Sequence, residues 1–243
     1  MLNTERVATG LAGLDPLIEG GFPKGRSILI TGEPGTGKSI FALQFLVEGL
    51  NRNEKCIFVT ADEGPMDVLE QAASMGWDLE PHVEKKELAI LNAGAYLSSL
   101  SGPGKERHID VQKAVSDLAG FANQLGAQRL VLDPAGPFVL LRDSAIRIQD
   151  QIRLLIKMLR SSVQTTNVLT SYAVPRTGER TMHGMEEYLV AGAIVLEMIW
   201  KDGQLVRSLI VEKMRCTNVK PTQLEFDIVK GQGLVIQPVT SAR

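Results

Sequence analysis

Cysteine is nearly absent from this chain: Cys56 and Cys216 are the only two, far apart and in no metal-ligand spacing. That argues against a disulfide framework or a thiolate metal centre and leaves two reduced thiols, Cys56 within a buried strand. An excess of charge of one sign is also missing. With 26 basic and 28 acidic residues, no global basic field advertises nucleic acid or an acidic membrane, although a local basic loop stays open. Long hydrophobic runs are lacking too. The longest, residues 188–200, is too short to span a bilayer and contains Glu197. The first six residues carry no charged-then-apolar signal pattern. A soluble cytoplasmic protein without a membrane partner is expected. No internal repeat and no domain boundary is visible. The 243 residues, 44% of them hydrophobic, suffice for one core, read as a single α/β domain over residues 1–243.

What is present is a phosphate-binding loop. Residues 32–39 read Gly-Glu-Pro-Gly-Thr-Gly-Lys-Ser, a full Gly-x-x-x-x-Gly-Lys-[Ser/Thr] pattern. A chain of this length meets it by accident about one time in a hundred at average residue usage. Its glycines let backbone N–H groups turn inward around a phosphate, Lys38 reaches the β/γ-phosphates, and the Ser39 hydroxyl ligates Mg²⁺. An apolar strand, residues 27–31, precedes the loop. Ile40, Leu43, Leu46, Val47 and Leu50 follow at helical spacing, so the loop sits at a helix N-terminus. Gly35, Thr36, Gly37, Lys38, Ser39 and Ile40 are the nucleotide-binding candidates.

Apolar β-branched runs alternate with helical patterns along the chain, the mark of a mostly parallel sheet flanked by helices. Strands are expected at residues 56–60, 88–91, 129–133 and 167–171. Helices are expected at 65–75, around Val111 to Leu125 at helical spacing, and over Ile148, Ile152, Leu155 and Leu159. Residues 93–107 carry Gly94, Ser101, Gly102, Pro103 and Gly104 and read as an exposed loop. The last quarter changes character: residues 193–213 form a β-hairpin around Lys201-Asp202-Gly203, and residues 224–236 add further strands.

Hydrolysis needs carboxylates as well as the loop. Asp133 follows four residues of strand at its C-terminal end, the Walker-B place for a carboxylate that holds Mg²⁺; the alternative is an Asp capping the next element. Asp133-Pro134-Ala135-Gly136 also reads as a GTPase Asp-x-x-Gly, but no [Asn/Thr]-Lys-x-Asp guanine-reading motif occurs, which favours ATP. Asp62 and Glu63 stand just past the strand 56–60. If that strand neighbours the phosphate-loop strand, one of them could orient or deprotonate water. Equally, they could be the acidic start of a helix at Pro65.

Taken together, these features resemble a known family. Val7-Ala8-Thr9-Gly10-Leu11-Ala12-Gly13-Leu14-Asp15 and Glu19-Gly20-Gly21-Phe22-Pro23-Lys24-Gly25 run into the loop. Phe58-Val59-Thr60-Ala61-Asp62-Glu63, Ser74-Met75-Gly76-Trp77-Asp78, Asp133, Glu186-Glu187-Tyr188 and Lys213-Met214-Arg215 follow. The whole is similar to KaiC-type ATPases of the RecA superfamily over nearly the full chain. The resemblance implies a RecA-like core, ATP and Mg²⁺, and a ring of six subunits with ATP between neighbours. It implies that Asp62 and Glu63 match a catalytic glutamate pair, with the shorter Asp62 slowing turnover. Ser74 matches an adenine-side contact. Lys213 and Arg215 match cations that touch the neighbouring subunit's γ-phosphate, with Thr217 beside them. Without the family, a Lys-x-Arg at a strand end alternates across the pleat, and a surface pair is the simpler reading. The family often has Gly-Thr-x-His after the Arg; here it is Cys216-Thr217-Asn218-Val219, so a His contact is lost. Ala191 stands where an Asp is usual. Glu187 and Tyr188 fall near the clock protein's autophosphorylated Ser and Thr, so no autokinase is expected.

Three functions follow. One is an ATPase ring that drives a conformational or signalling change in a protein partner. Another is a DNA-binding accessory of recombination related to RadA, contacting single-stranded DNA through residues 142–147 and through Arg176, Arg180 and His183. Solvated loop charges are the alternative there, and no aromatic platform is interleaved with these cations. The third is a scaffold that binds ATP and barely hydrolyses it.

Overall fold

A computed structural model of the chain describes residues 4–94, 96, 111–136, 145–172, 189–220 and 222–237. A short antiparallel ribbon opens it, β1 (Arg6–Val7) against β2 (Phe22–Pro23), with a 3-10 turn, Asp15–Ile18, between them. Then come β3 (Ser27–Gly32), α1 (Lys38–Asn51), β4 (Cys56–Thr60), α2 (Pro65–Ser74), α3 (Glu80–Glu84) and β5 (Leu88–Asn92). They are followed by α4 (Val111–Leu125), β6 (Arg129–Asp133), α5 (Ala145–Met158), which passes into a π-helical turn (Leu159–Val163), and β7 (Thr166–Tyr172). The described chain ends in β8 (Gly192–Lys201), β9 (Gln204–Met214), β10 (Gln223–Val229) and β11 (Gly233–Ile236).

Nine strands form one sheet in the order β11-β10-β9-β8-β3-β7-β6-β4-β5. From β8 to β5 every pairing is parallel, whereas β9, β10 and β11 add on antiparallel. The expected α/β fold, a mostly parallel sheet extended by a C-terminal antiparallel hairpin, is the one found. Strand alternation divides the core in two. Ile28, Ile30, Phe58, Val131 and Val168 pack toward α1 and α2, while Leu29, Ile57, Val59, Leu130, Leu132 and Leu169 pack toward α4 and α5. Both faces are covered, which explains why these strands read as continuous apolar runs. No described helix is long and apolar enough to cross a membrane.

Helix α1 lies deep in the first core layer, where Phe41 and Phe45 set their rings against Phe22 at 6.3 and 5.8 Å. Gln44, also buried, donates to Gly10 O and Gln232 O (both 2.9 Å) and accepts from Leu234 N–H (2.7 Å), tying both ends of the fold to this helix. Arg129 on β6 is fully buried, an outcome its place at the head of an apolar run does not announce. It donates to Glu54, to Ala8 O (2.8 Å) and to Phe45 O (2.7 Å), and its guanidinium lies 4.5 Å from the Phe45 ring centroid. Burial pushes the neighbouring Cys56 thiol up to about 12, with Arg129 opposing, so Cys56 stays a protonated apolar filler.

Two expectations need amendment, and two short elements are added. Ala93, Gly94 and Tyr96 are helical where an exposed loop is expected, and Ala93 is buried in the second core layer. The β1–β2 ribbon and α3 are too short for periodicity to reveal. The strand pairing also differs: β4 is not beside β3, since β7 and β6 stand between them.

Gly49 on α1 exists for Arg129. A Cβ there would meet Arg129 Cδ at 2.5 Å, Nε at 2.6 Å and Cys56 Sγ at 3.0 Å. Gly→Ala inside a helix ordinarily stabilises by about 1 kcal/mol. At this position overpacking against a pinned guanidinium reverses the sign. Gly49→Ala should lose about 2 kcal/mol in urea unfolding; a gain in stability would show that Arg129 can move aside.

Candidate functional site

The turn between β3 and α1 is built by left-handed backbone at Gly35 (φ +81) and Gly37 (φ +105), which residues with a Cβ rarely adopt. Thr36 is buried, its hydroxyl donating to Glu33 O at 2.8 Å. Lys38 curls back over the loop, its ammonium donating to Gly32 O (2.8 Å) and Glu33 O (2.9 Å). Partial burial lowers the Lys38 pKa, and attraction to Asp133 opposes that shift. The first intrahelical bond runs from Phe41 N–H to Gly37 O (2.9 Å), so the amides of Ser39 and Ile40 lie ahead of it. Gly37 supplies no side-chain cap. First-turn amides at the positive end of a helix dipole can hold a phosphate. Ile40 itself packs partly against the core.

Carboxylates gather at the same sheet edge. Asp133 ends β6 and accepts from the Thr170 hydroxyl of β7. Thr60 pairs in register with Asp133, and its hydroxyl ties the following turn by donating to Glu63 O (3.0 Å) and accepting from Glu63 N–H (3.2 Å). The Glu63 pKa is raised, first by burial, then by Asp133, Asp67 and Asp62. Although β4 lies three places from β3, parallel strands all open at one edge, which is how Asp62 and Glu63 come to the side of the loop. Helix capping is done by another residue: the Asp67 carboxylate accepts from Gly64 N–H at 2.8 Å, closing the start of α2. Asp62 and Glu63 are therefore not needed for that task.

Ser74 ends α2 and donates to Gln71 O (2.7 Å). Its neighbour Met75 accepts from Gly231 N–H (2.6 Å) just beyond β10, the strand whose Ile228 abuts Gly37. Lys213, Arg215 and Thr217 stand elsewhere. β9 runs antiparallel to the P-loop strand's neighbour β8, so its two ends lie at opposite edges of the sheet. Arg207, missed in the sequence because one cation in a strand carries no motif, touches Gly35 O at 3.4–3.5 Å. Lys213 is six residues further along, roughly 20 Å at strand rise, beside Ala193. The pleat argument does not place Arg215, because β9 stops at Met214, one residue short of it. Arg215 sits in the turn beyond, its N–H donating to Ala191 O at 2.7 Å. Arg176, Arg180, His183 and the 142–144 segment lie outside the described residues, as do the side chains of residues 145–147.

A folded-state pKa above the unfolded value means that ionised Glu63 costs stability once pH exceeds the ordinary carboxylate range. Glu63→Gln removes the charge, and with it the cost of burying it beside Asp133, Asp67 and Asp62. Its melting temperature should exceed the parent's at pH 7, and the gap should close below about pH 4. Equal melting at pH 7 would show that neither burial nor the neighbouring carboxylates penalise ionised Glu63.

The comparisons with known proteins agree with this geometry. The family model for the KaiC ATPase matches residues 7–241. The UPF0273 protein PH0284 of Pyrococcus horikoshii is 34% identical over 245 residues, covering 97% of this chain and 95% of that protein. The UPF0273 protein MJ1359 of Methanocaldococcus jannaschii is 33% identical, with 96% and 97% covered. The circadian clock protein KaiC3 of Synechocystis is 30% identical over 98% of this chain, which spans only 46% of it. Among solved structures, the KaiC-like protein PH0186 of Pyrococcus horikoshii superposes with a TM-score of 0.81 at 30% identity, with 97% of this chain and all of that one covered. A phosphate loop on a RecA-type sheet, matched by sequence and fold almost end to end, makes this chain a member of the KaiC-type ATPase family.

Proposed function

We propose that residues 1–243 act as one cytoplasmic ATPase domain that hydrolyses Mg-ATP slowly, at a site which a second copy of the chain completes. The observation that carries this reading is the separation along β9. Arg207 lies at the chain's own phosphate loop, while Lys213 and Arg215 lie at the far edge of the sheet. No side chain spans roughly 20 Å, so these two cations can serve a phosphate only on a neighbouring molecule. Head-to-tail contact of this kind forms a ring where its rotation closes, here of six members as in the family pattern.

Within one site, the amides of residues 35–40 and the Lys38 ammonium bind the phosphates. Ser39 and Asp133 would hold Mg²⁺, which when bound neutralises charge developing on the phosphate oxygens. The donor set fits: a hydroxyl and a carboxylate suit a hard cation. Glu63, with Asp62 beside it, orients the attacking water, and its raised pKa suits a group that takes up a proton. Asp62 is one methylene shorter than Glu, which slows turnover. Ser74 borders the base. Lys213 and Arg215, with Thr217 at their turn, stabilise transition-state charge in trans. Assembly and turnover then move a protein partner. The alternative DNA-binding role rests on Arg176, Arg180 and His183, outside the described residues, and the family match does not favour it.

Mixing two inactive variants tests the shared site. Lys38→Ala lacks a working phosphate loop and Arg215→Ala lacks the trans cation, so each alone should turn over ATP poorly. In mixed assemblies roughly a quarter of the sites pair an intact loop with an intact cation, and activity should return to about that fraction. Variants that co-assemble without any recovery would exclude a site shared between chains.

A further inference from the structure

Cys216 follows the trans cation Arg215 in a turn whose backbone side chains rarely adopt: its φ is +59, and the family often places Gly there. Two residues from the other end of the chain hold that turn. The Arg6 guanidinium, largely buried, donates to Thr217 Oγ1 (2.6 Å), to Cys216 O (2.6 Å) and to Glu19 Oε2 (2.5 Å). The other Glu19 oxygen accepts from Asn218 N–H at 3.1 Å. Three consecutive residues after Arg215 are thus each tied to Arg6 or Glu19. Glu19 is itself fixed: it ends the 3-10 turn with φ +59, and its neighbour Gly20 donates to Asp15 O at 2.7 Å. Arg6 is fixed by β1, where it pairs with Pro23.

We propose that Arg6 and Glu19 are positioning residues for ATP hydrolysis, a two-residue brace that presets the Arg215 turn for the neighbouring subunit's nucleotide. This rests on the trans site proposed above. An exposed salt bridge alone contributes little. Here the ion pair also makes charge-assisted bonds to two carbonyl or hydroxyl oxygens and one amide of a turn with unfavourable backbone. Without the brace, ordering that turn has to occur in the transition state, and the cation arrives misplaced. The brace touches no nucleotide on its own chain, so its loss should leave nucleotide affinity unchanged and lower kcat.

The experiment compares Arg6→Ala and Glu19→Gln with Arg215→Ala in the full-length assembled protein. Arg6→Ala should lower kcat roughly ten- to a hundredfold, the loss a misplaced group causes, with Mg-ATP affinity unchanged. Glu19→Gln, which keeps an acceptor for Asn218, should lose less. Mixing Arg6→Ala with Lys38→Ala should restore activity, because the damaged turn and the dead loop fall on different sites; mixing it with Arg215→Ala should not. Normal turnover by Arg6→Ala beside an inactive Arg215→Ala would overturn the brace and leave the trans site standing. Recovery on mixing Arg6→Ala with Arg215→Ala would place its defect outside the turn and overturn the brace as well. If Arg6→Ala and Arg215→Ala both turn over normally, the trans site falls and the brace falls with it.

Discussion

Between the phosphate loop and the Lys213–Arg215 turn lies the length of a strand, because β9 runs back across the sheet from one edge to the other. The spacing is set by pairing to β8 along nearly all of β9, with β10 paired to Arg207–Ile210 on the other side, so no local rearrangement shortens it. A P-loop needs cations at the γ-phosphate when charge develops there. At this chain's own loop lie Lys38 and, on its outside, Arg207. Lys213 and Arg215 at the β9 end stand too far from that loop to join them, which is why the proposed site draws them from another molecule. On the shared site proposed above, oligomerisation is part of the chemistry, and the precision of the Arg215 turn becomes a catalytic matter.

A second requirement is that the loop stay still while phosphates arrive. Helix α1 carries it, and α1 is fixed from several sides: Phe22 against Phe41 and Phe45, Gln44 bridging Gly10 to Leu234, and Arg129 gripping Phe45 O from beneath. Desolvating a guanidinium is costly unless nearly every donor is matched. Arg129 meets most of that cost with Glu54, two carbonyls and the Phe45 ring, although its NH2 nitrogen has no partner among the described residues. The same guanidinium joins the N-terminal segment, through Ala8 O, to the helix that carries the loop.

The phosphate loop, the strand-end Asp133 and the C-terminal hairpin were legible in the sequence because each is a local pattern with one physical solution. Gly35 and Gly37 need left-handed backbone, Asp133 closes an apolar run, and Asp202-Gly203 turns a hairpin. Strand order was not legible. β4 stands apart from β3, and nothing in either segment encodes which strands lie between them. Nor could spacing reveal Arg129, Asp67, Arg207 or the Arg6–Glu19 pair, whose partners lie across the fold or, for Asp67, in a capping box opened by Gly64. The pleat argument for Lys213 and Arg215 reaches only as far as Met214, because where a strand ends is a decision of tertiary pairing.

Dilution tests the shared site most directly. If a neighbour completes each site, ATP turnover per chain should fall steeply as protein is diluted through its assembly range, with sedimentation measured on the same samples. Turnover per chain should be lowest where the monomer predominates and reach a plateau once assembly is complete. Constant turnover per chain, from full assembly down to a sedimenting monomer, would contradict the account.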